Sequence, residues 1–150
     1  MFYRIFVSMI LMSIYISLSG CDNVKSPMLE PKTTPPVSPQ KGMATVIGRV
    51  VSEGDNKPIT DTIVRMAEVV RQGGEGAYVL DIAQSPGTRS DQNGYFIFEN
   101  VNPQEYVIII GDVYDVYKVV SGDDQKPIAW ATAADQILDV GTLSVDLGGE

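Results

Sequence analysis

Histidine is absent from this chain of 150 residues, and cysteine occurs once. Without histidine, the usual zinc sites, the Ser-His and Cys-His nucleophiles and the imidazole general bases are excluded. A single cysteine also excludes an intrachain disulfide. We therefore expect neither a metal nor a cofactor, and no enzyme that depends on these groups.

Basic residues are few: 11 lysines and arginines stand against 19 acidic residues, for a formal net charge of -8. Arg4 is the one basic residue before Cys21, and every acidic residue follows it, so the chain from Cys21 onward carries 10 − 19 = −9. A surface of this sign repels phosphate backbones and anionic lipid head groups. Nucleic acid is therefore not an expected partner.

The first 20 residues have the layout of a secretory signal rather than of a folded element. Arg4 supplies a positive start, residues 5–16 form an apolar core, and residues 17–20 are mostly small. The apolar run is too short for a comfortable membrane span. The residues that follow it, Leu18, Ser19, Gly20 and Cys21, resemble the lipobox of bacterial lipoproteins.

That resemblance implies cleavage before Cys21 and attachment of diacylglycerol to its thiol. The alternatives are an ordinary cleaved signal peptide with an incidental cysteine, or an uncleaved helical anchor. We expect residues 1–20 to be the signal peptide and the mature protein to lie in the bacterial cell envelope. It would be held to a membrane by lipid and would face outside the cytoplasm.

Residues 21–42 are predicted to form a lipidated cysteine and a tether. Five of the nine prolines fall between residues 22 and 42, with no apolar periodicity. Proline favours extended polyproline II segments, so this stretch could lift a domain by up to about 65 Å. The third part, residues 43–150, is long enough for one modest domain.

From residue 43 onward, the pattern is typical of short β-strands separated by turns. Phe96 and Phe98 share one face of a predicted strand, as do Tyr78, Leu80 and Ile82 of another. Residues 131–138 could instead form one or two helical turns. The predicted strands cover residues 44–51, 62–69, 77–83, 94–101, 105–110 and 141–147.

The order of these strands and turns resembles the carboxypeptidase regulatory-like domain. The resemblance implies an all-β, transthyretin-like or immunoglobulin-like antiparallel sandwich of about seven strands over residues 43–150. Residues 68–87 are a longer insertion than usual, which we interpret as an added hairpin turning at residues 73–76. Catalysis in that family belongs to a separate domain. The residues that carry the resemblance are Gly48, Val50, Pro58, Ile59, Val64, Met66, Asp91, Gly94, Phe96, Phe98, Tyr106, Ile108 and Ile110.

The stretch "DQNG" (residues 91–94) precedes one of these strands and is predicted to be a turn. Asp91 can accept backbone N–H bonds and Gly94 can take a positive φ. The same letters resemble the start of a calcium-binding loop. However, the distal ligands of such a loop are not present at the required spacing.

Two surfaces are candidates for binding a partner. Val107 and Ile109 must lie opposite the core-facing residues of their strand, and we expect them to lie beside Tyr95 and Ile97 of the preceding strand. This apolar face is either covered by the inserted hairpin or by the segment around Trp130, or it docks a partner. The second candidate is the acidic, tyrosine-rich stretch with Tyr114 and Tyr117, which suits contacts with sugars or proteins.

These features support three hypotheses for function. The first is a non-catalytic binding or scaffold module that presents the sandwich to an envelope or secreted protein. The second is carbohydrate binding, since the family's fold is similar to starch-binding-like sandwiches. The third is a small carboxylate-dependent hydrolase that would use Asp112, Asp115, Asp123 and Asp124. Solvated or capping carboxylates are the ordinary interpretation of those four residues.

Overall fold

The computed structural model describes residues 38–148, which form nine β-strands. Within that range there is no helix, and so none that is long and apolar enough to cross a membrane. The strands are β1 (Ala44–Ser52), β2 (Ile63–Gln72), β3 (Glu75–Val79), β4 (Gly87–Arg89), β5 (Tyr95–Val101), β6 (Glu105–Gly111), β7 (Tyr117–Val119), β8 (Ala129–Ala131) and β9 (Ile137–Val145).

The strands form two sheets of unequal size. The smaller sheet has the order β5-β1-β9, and the larger has the order β3-β2-β6-β7, with β4 also paired to β2 and β8 to β6. All pairings are antiparallel except that of β1 with β9, the first and last strands, which run parallel. The predicted all-β sandwich is therefore confirmed, with one parallel pair in an otherwise antiparallel arrangement.

The core lies between the facing sides of the two sheets. Phe96 and Phe98 of the smaller sheet contact each other edge to face, with ring centroids 5.7 Å apart. The larger sheet contributes Met66, Ile108 and Ile110, each at most 1% exposed. Alternation of inward and outward side chains along β1 and β5 follows from the period of two in an extended strand.

Strand β6 is buried on both of its faces. Every residue from Tyr106 to Gly111 is buried, and the strand pairs with β2 along one edge and with β7 and β8 along the other. A fully buried isoleucine side chain contributes about 1.5–3 kcal/mol of hydrophobic stabilisation, so this strand carries a large part of the core.

The turn before β5 forms as the sequence indicates. The Asp91 carboxylate accepts hydrogen bonds from the N–H groups of Asn93 and Tyr95, both at 2.8 Å. Gly94 has φ +81° and is buried. Asp91 therefore stabilises the turn through which the chain enters β5.

Three local predictions are wrong in detail. The strand expected over residues 77–83 ends at Val79, so Leu80 and Ile82 do not continue a strand face with Tyr78. Residues 131–138 form no helical turn; they contain the end of β8, a turn and the start of β9. The hairpin reverses at Gly73 and Gly74 alone, because Gln72 pairs directly with Glu75.

The end of the predicted tether is hydrogen-bonded to the sandwich. The Gln40 N–H donates to the Asn100 side chain at 2.8 Å, and the Gly42 N–H donates to the Asp135 carboxylate at 2.7 Å. Contacts with the sandwich are therefore already present at Gln40 and Gly42, ahead of β1.

Alanine substitutions at two glycines with similar backbone conformations, Gly94 and Gly54, test how strongly the Asp91 turn is constrained. A Cβ at Gly94 would overlap the Val50 carbonyl oxygen, whereas a Cβ at Gly54, with φ +99°, would meet nothing within 4 Å. We expect Gly94→Ala to lower the free energy of unfolding by about 3 kcal/mol or more, from strain plus overlap.

Gly54→Ala is the matched control and should lose only the conformational part, about 1–2 kcal/mol. Urea denaturation followed by circular dichroism measures both losses. Equal losses for the two variants would show that the close approach at Gly94 does not constrain the turn.

Candidate functional site

An open groove of about 480 Å³ lies where the larger sheet extends past the core. One wall is the core-facing side of β2, with Met66 and Glu68, and the loop between β3 and β4. The opposite wall is the corner that carries the chain from β5 into β6, residues 99–104. Tyr106, which is opposite Glu68 in the sheet, also lines it.

The groove is lined mainly by side chains that form hydrogen bonds. It includes no lysine or arginine. Four amide side chains and three carboxylates line it, together with a smaller apolar portion made by Met66, Val79, Pro86 and Val101. The amides are Gln84, Asn100, Asn102 and Gln104, and the carboxylates are Glu68, Asp81 and Glu99.

The corner of the groove is held in place by buried hydrogen bonds. The Tyr106 hydroxyl donates to the Asn102 carbonyl at 3.1 Å. The Thr132 hydroxyl lies 3.1 Å from that same carbonyl and accepts from the Gln104 N–H at 2.9 Å. Because Tyr106 and Thr132 are 2% and 8% exposed, the corner is anchored to the core.

Burial raises the pKa of Tyr106 above its ordinary value, while a hydrogen bond with the Gln104 side chain acts in the opposite direction. The hydroxyl therefore stays protonated at neutral pH and remains able to donate to the Asn102 carbonyl. The corner is thus built around a neutral tyrosine.

The facing wall is a compact loop after β3. The Asp81 carboxylate accepts from the Ala83 N–H at 2.9 Å, and the Ser85 hydroxyl accepts from the Asp81 N–H at 2.9 Å. The Pro86 carbonyl accepts from the Met66 N–H, which ties this loop to β2. Both walls are therefore fixed by bonds that do not use the groove's remaining polar side chains.

Four lining side chains have no hydrogen-bond or ion-pair partner within residues 38–148: Glu68, Gln84, Glu99 and Asn102. The ion pairs of this part of the chain lie elsewhere, and all are solvent-exposed. The groove consequently presents unused donors and acceptors together with negative charge.

The predicted partner surface around β6 does not exist as one surface. Tyr95 and Ile97 lie on β5 in the smaller sheet, opposite Arg49 and Ile47, whereas Val107 lies on β6 in the larger sheet. The corner at residues 99–104 carries the chain from one sheet to the other. Consecutive strands here are therefore on opposite sides of the sandwich.

Val107 and Ile109 are each 2% exposed, so in this structure they offer almost no area to a partner. Of the two segments expected to cover them, the insertion reaches this face at Ile82, whose carbonyl accepts a hydrogen bond from Arg65, the residue opposite Ile109. The hairpin extends the sheet beside β2, and β8 pairs with β6 in the plane of the sheet. Trp130 is opposite Tyr106 and packs against the core instead.

The tyrosine-rich stretch forms the turn between β6 and β7 and the start of β7. Tyr114 is 82% exposed and Tyr117 is 47% exposed. The Asp112 carboxylate accepts from the Tyr114 N–H at 3.0 Å, so it acts as a turn cap. Asp124 does the same for the Lys126 N–H at 3.1 Å in the next turn.

Two other predictions concern sites for lipid and metal. Cys21 and the preceding Leu18, Ser19 and Gly20 lie outside the described residues. Within residues 38–148, no group of three or more histidine, cysteine, aspartate or glutamate residues is arranged to hold a metal ion.

Sequence reasoning missed the groove. Asn100, Asn102 and Gln104 stand at every second position, but Asn100 was predicted to lie in the strand over residues 94–101 and none of the three was predicted to bind a ligand. The opposite wall belongs to the insertion, whose path over residues 80–86 has no simple periodic signal. The pairing of β2 with β6 places Glu68 opposite Tyr106 beside the corner, and the pairing of β2 with β3 and β4 adds the insertion to that wall.

No protein-family model matches the chain, and no curated protein matches it significantly. Several solved structures match the chain. A protein from Pseudomonas aeruginosa, whose description as carbohydrate-binding is itself a proposal, is 18% identical over 73% of this chain and 92% of its own, with a TM-score of 0.43.

A DUF3823 family protein from Bacteroides uniformis is 17% identical over 69% of this chain and 43% of its own, with a TM-score of 0.42. The major pilin subunit of Bacillus cereus is 10% identical over 69% of this chain and 29% of its own, with a TM-score of 0.40. The chain spans less than half the length of these two proteins.

Proposed function

We propose that this chain is a lipid-anchored, non-catalytic binding module of the bacterial cell envelope, and that the groove is its ligand site. The groove's polar lining is the observation that carries this proposal. The ligand class that suits it best is a hydroxyl-rich molecule, a carbohydrate.

The chemistry of the free side chains supports a carbohydrate. Amides offer both donors and acceptors, and carboxylates offer paired acceptors, so together they match the hydroxyls of a sugar ring. Glu99 and Asn102 lie on one wall and Gln84 on the other, so a ligand in the groove can contact both walls. The volume lies within the range of small-molecule sites, about 300–1,000 Å³.

The negative charge of the groove also limits the classes of ligand that can bind there. Three carboxylates and no cation line the groove, which disfavours phosphates, nucleotides and acidic peptides. The centre of a protein interface is usually apolar or aromatic, whereas most of the side chains that line this groove are polar. A neutral or cationic sugar fits better than a protein segment.

The absence of catalysis is part of the proposal. Asp112 and Asp124 cap their own turns, and Lys126 pairs with Asp124. A carboxylate that caps a turn has a structural role. Neither Asp112 nor Asp124 lines the groove. A binding role is therefore favoured over the small hydrolase.

Sequence motifs support the lipid anchor and the family assignment. The lipobox-like residues 18–21 support attachment through Cys21. The resemblance to carboxypeptidase regulatory-like domains supports a non-catalytic sandwich in an extracytoplasmic protein.

We predict that the full-length protein, purified in detergent, binds one or more members of a panel of neutral gluco-, manno-, galacto- and chito-oligosaccharides. Changing Glu99 and Asn102 together to alanine should weaken binding about tenfold or more, since each lost hydrogen bond to a charged or neutral group contributes about 0.5–3 kcal/mol. Isothermal titration calorimetry measures the affinities.

The control makes the same chemical change at the exposed Glu53 and Asn93, which lie outside the groove. This second double variant should bind as the parent protein does. If the parent binds no oligosaccharide, or if both double variants lose affinity equally, the groove is not a carbohydrate site.

We predict that Cys21→Ser abolishes lipid attachment. In cells labelled with radioactive palmitate, the parent protein should carry label and the variant should carry none, because the acyl chains are attached at this residue. Ser19→Ala keeps a small residue in the motif and should remain labelled. Labelling of Cys21→Ser would contradict the lipid anchor without bearing on the groove.

A further inference from the structure

The hairpin formed by β2 and β3 extends beyond the rest of the larger sheet. Strand β2 pairs with β6 over Val64–Glu68 and with β3 over Glu68–Gln72. All five residues of β3 are exposed, and within residues 38–148 no strand pairs with its outer edge. Strand β3 is thus a free edge strand.

The two-residue turn shows which backbone groups of β3 point outward. Residues that flank such a turn form a hydrogen-bonded pair, and hydrogen-bonded and non-hydrogen-bonded pairs then alternate along the hairpin. Glu75, Ala77 and Val79 therefore direct their N–H and C=O groups toward β2. Gly76 and Tyr78 direct theirs away from it, where a further strand can bind.

Free edges are usually protected by proline, lysine or a bulge. Residues 75–79 contain none of these. Instead, exposed apolar side chains gather here: Val70, Tyr78 and Val79 are 51%, 43% and 53% exposed. Such a strand is a template for pairing with another strand.

The edge is complementary to itself, and we propose that it pairs antiparallel with β3 of a second copy of this chain, with the two-fold axis at Ala77. In this register Gly76 and Tyr78 of one copy are opposite Tyr78 and Gly76 of the other, which gives four backbone hydrogen bonds. Glu75 is opposite Val79, so no like charges meet directly.

Side chains on both faces fit this register. On one face, Val70 is opposite Ala77 within the hairpin, so the two copies form a continuous apolar row of Val70, Ala77, Ala77 and Val70. On the other face, Tyr78 lies over Gly76 of the second copy, where there is no side chain to obstruct the ring. Arg71 pairs with Glu105 through its Nε, and its Nη1, which lies above Gly76, can then contact that ring.

The distribution of charge also favours contact between two copies of the chain at the β2–β3 hairpin. Beyond Glu68, residues 69–79 of the hairpin contain one arginine and one glutamate and have no net charge, whereas the chain as a whole has a net charge of −8. Two copies therefore repel one another over most of their surface and least at the hairpin. Attachment to one membrane would raise their effective concentration.

The test uses Ala77→Cys in the full-length protein in intact cells, with a mild oxidant. Antiparallel residues on the axis have Cβ atoms about 4.5–5.5 Å apart in a non-hydrogen-bonded pair, close to disulfide geometry. We expect a disulfide-linked dimer on non-reducing gels. The parent protein, which retains Cys21, should give none.

The matched control is Glu75→Cys, on the same face of the same strand. In the proposed register the two Glu75 positions lie about 13 Å apart along the strands, too far for a disulfide. We expect at least about tenfold less dimer than with Ala77→Cys. Adding Tyr78→Pro to Ala77→Cys removes an outward N–H and should abolish the dimer while the thermal unfolding temperature shows that the protein is folded.

Equal cross-linking at both positions would overturn the register. A lack of dimer with Ala77→Cys, or a disulfide to a different protein, would overturn pairing with a second copy. Loss of the dimer would leave oligosaccharide binding by the groove unaffected, so the two proposals fail separately.

Discussion

The burial of β6 on both faces is the constraint on which the rest of the structure depends. Tyr106, Ile108 and Ile110 fill the core from the larger sheet, and the strand is paired along both edges. Its first residues also fix the corner of the groove, through the Tyr106 hydroxyl and the Asn102 carbonyl. A change that loosens β6 would therefore affect the fold and the proposed ligand site together.

The unequal size of the two sheets accounts for the features that we connect with function. The smaller sheet has three strands and the larger has six, so part of the larger sheet has no strand facing it. Where β2 passes the end of the core, Met66 and Glu68 become a wall of the groove. Further along, the same strand forms the exposed hairpin with β3. The insertion therefore builds one wall of the groove and supplies a free edge.

The sequence predicted most strands but not which sheet each strand joins. Alternating apolar residues located β1, β5 and β6, because the period of two is a local property of an extended chain. Tyr95 and Val107 were placed on neighbouring strands of one sheet, and that was wrong because the corner at residues 99–104 crosses between sheets. Sheet partners depend on distant contacts, so periodicity cannot supply them. The groove was not predicted for the same reason, since its walls are brought together by the pairing of β2 with β6 and with the strands of the insertion.

The most direct test of this account is native-state hydrogen exchange measured residue by residue. If β6 is the central support, the amides of Ile108 and Ile110 should exchange only by global unfolding, with a free energy equal to that from denaturation. The amide of Gln72, close to the tip of the hairpin, should exchange through local opening at a much lower free energy. Exchange of the β6 amides as fast as that of Gln72 would contradict the account.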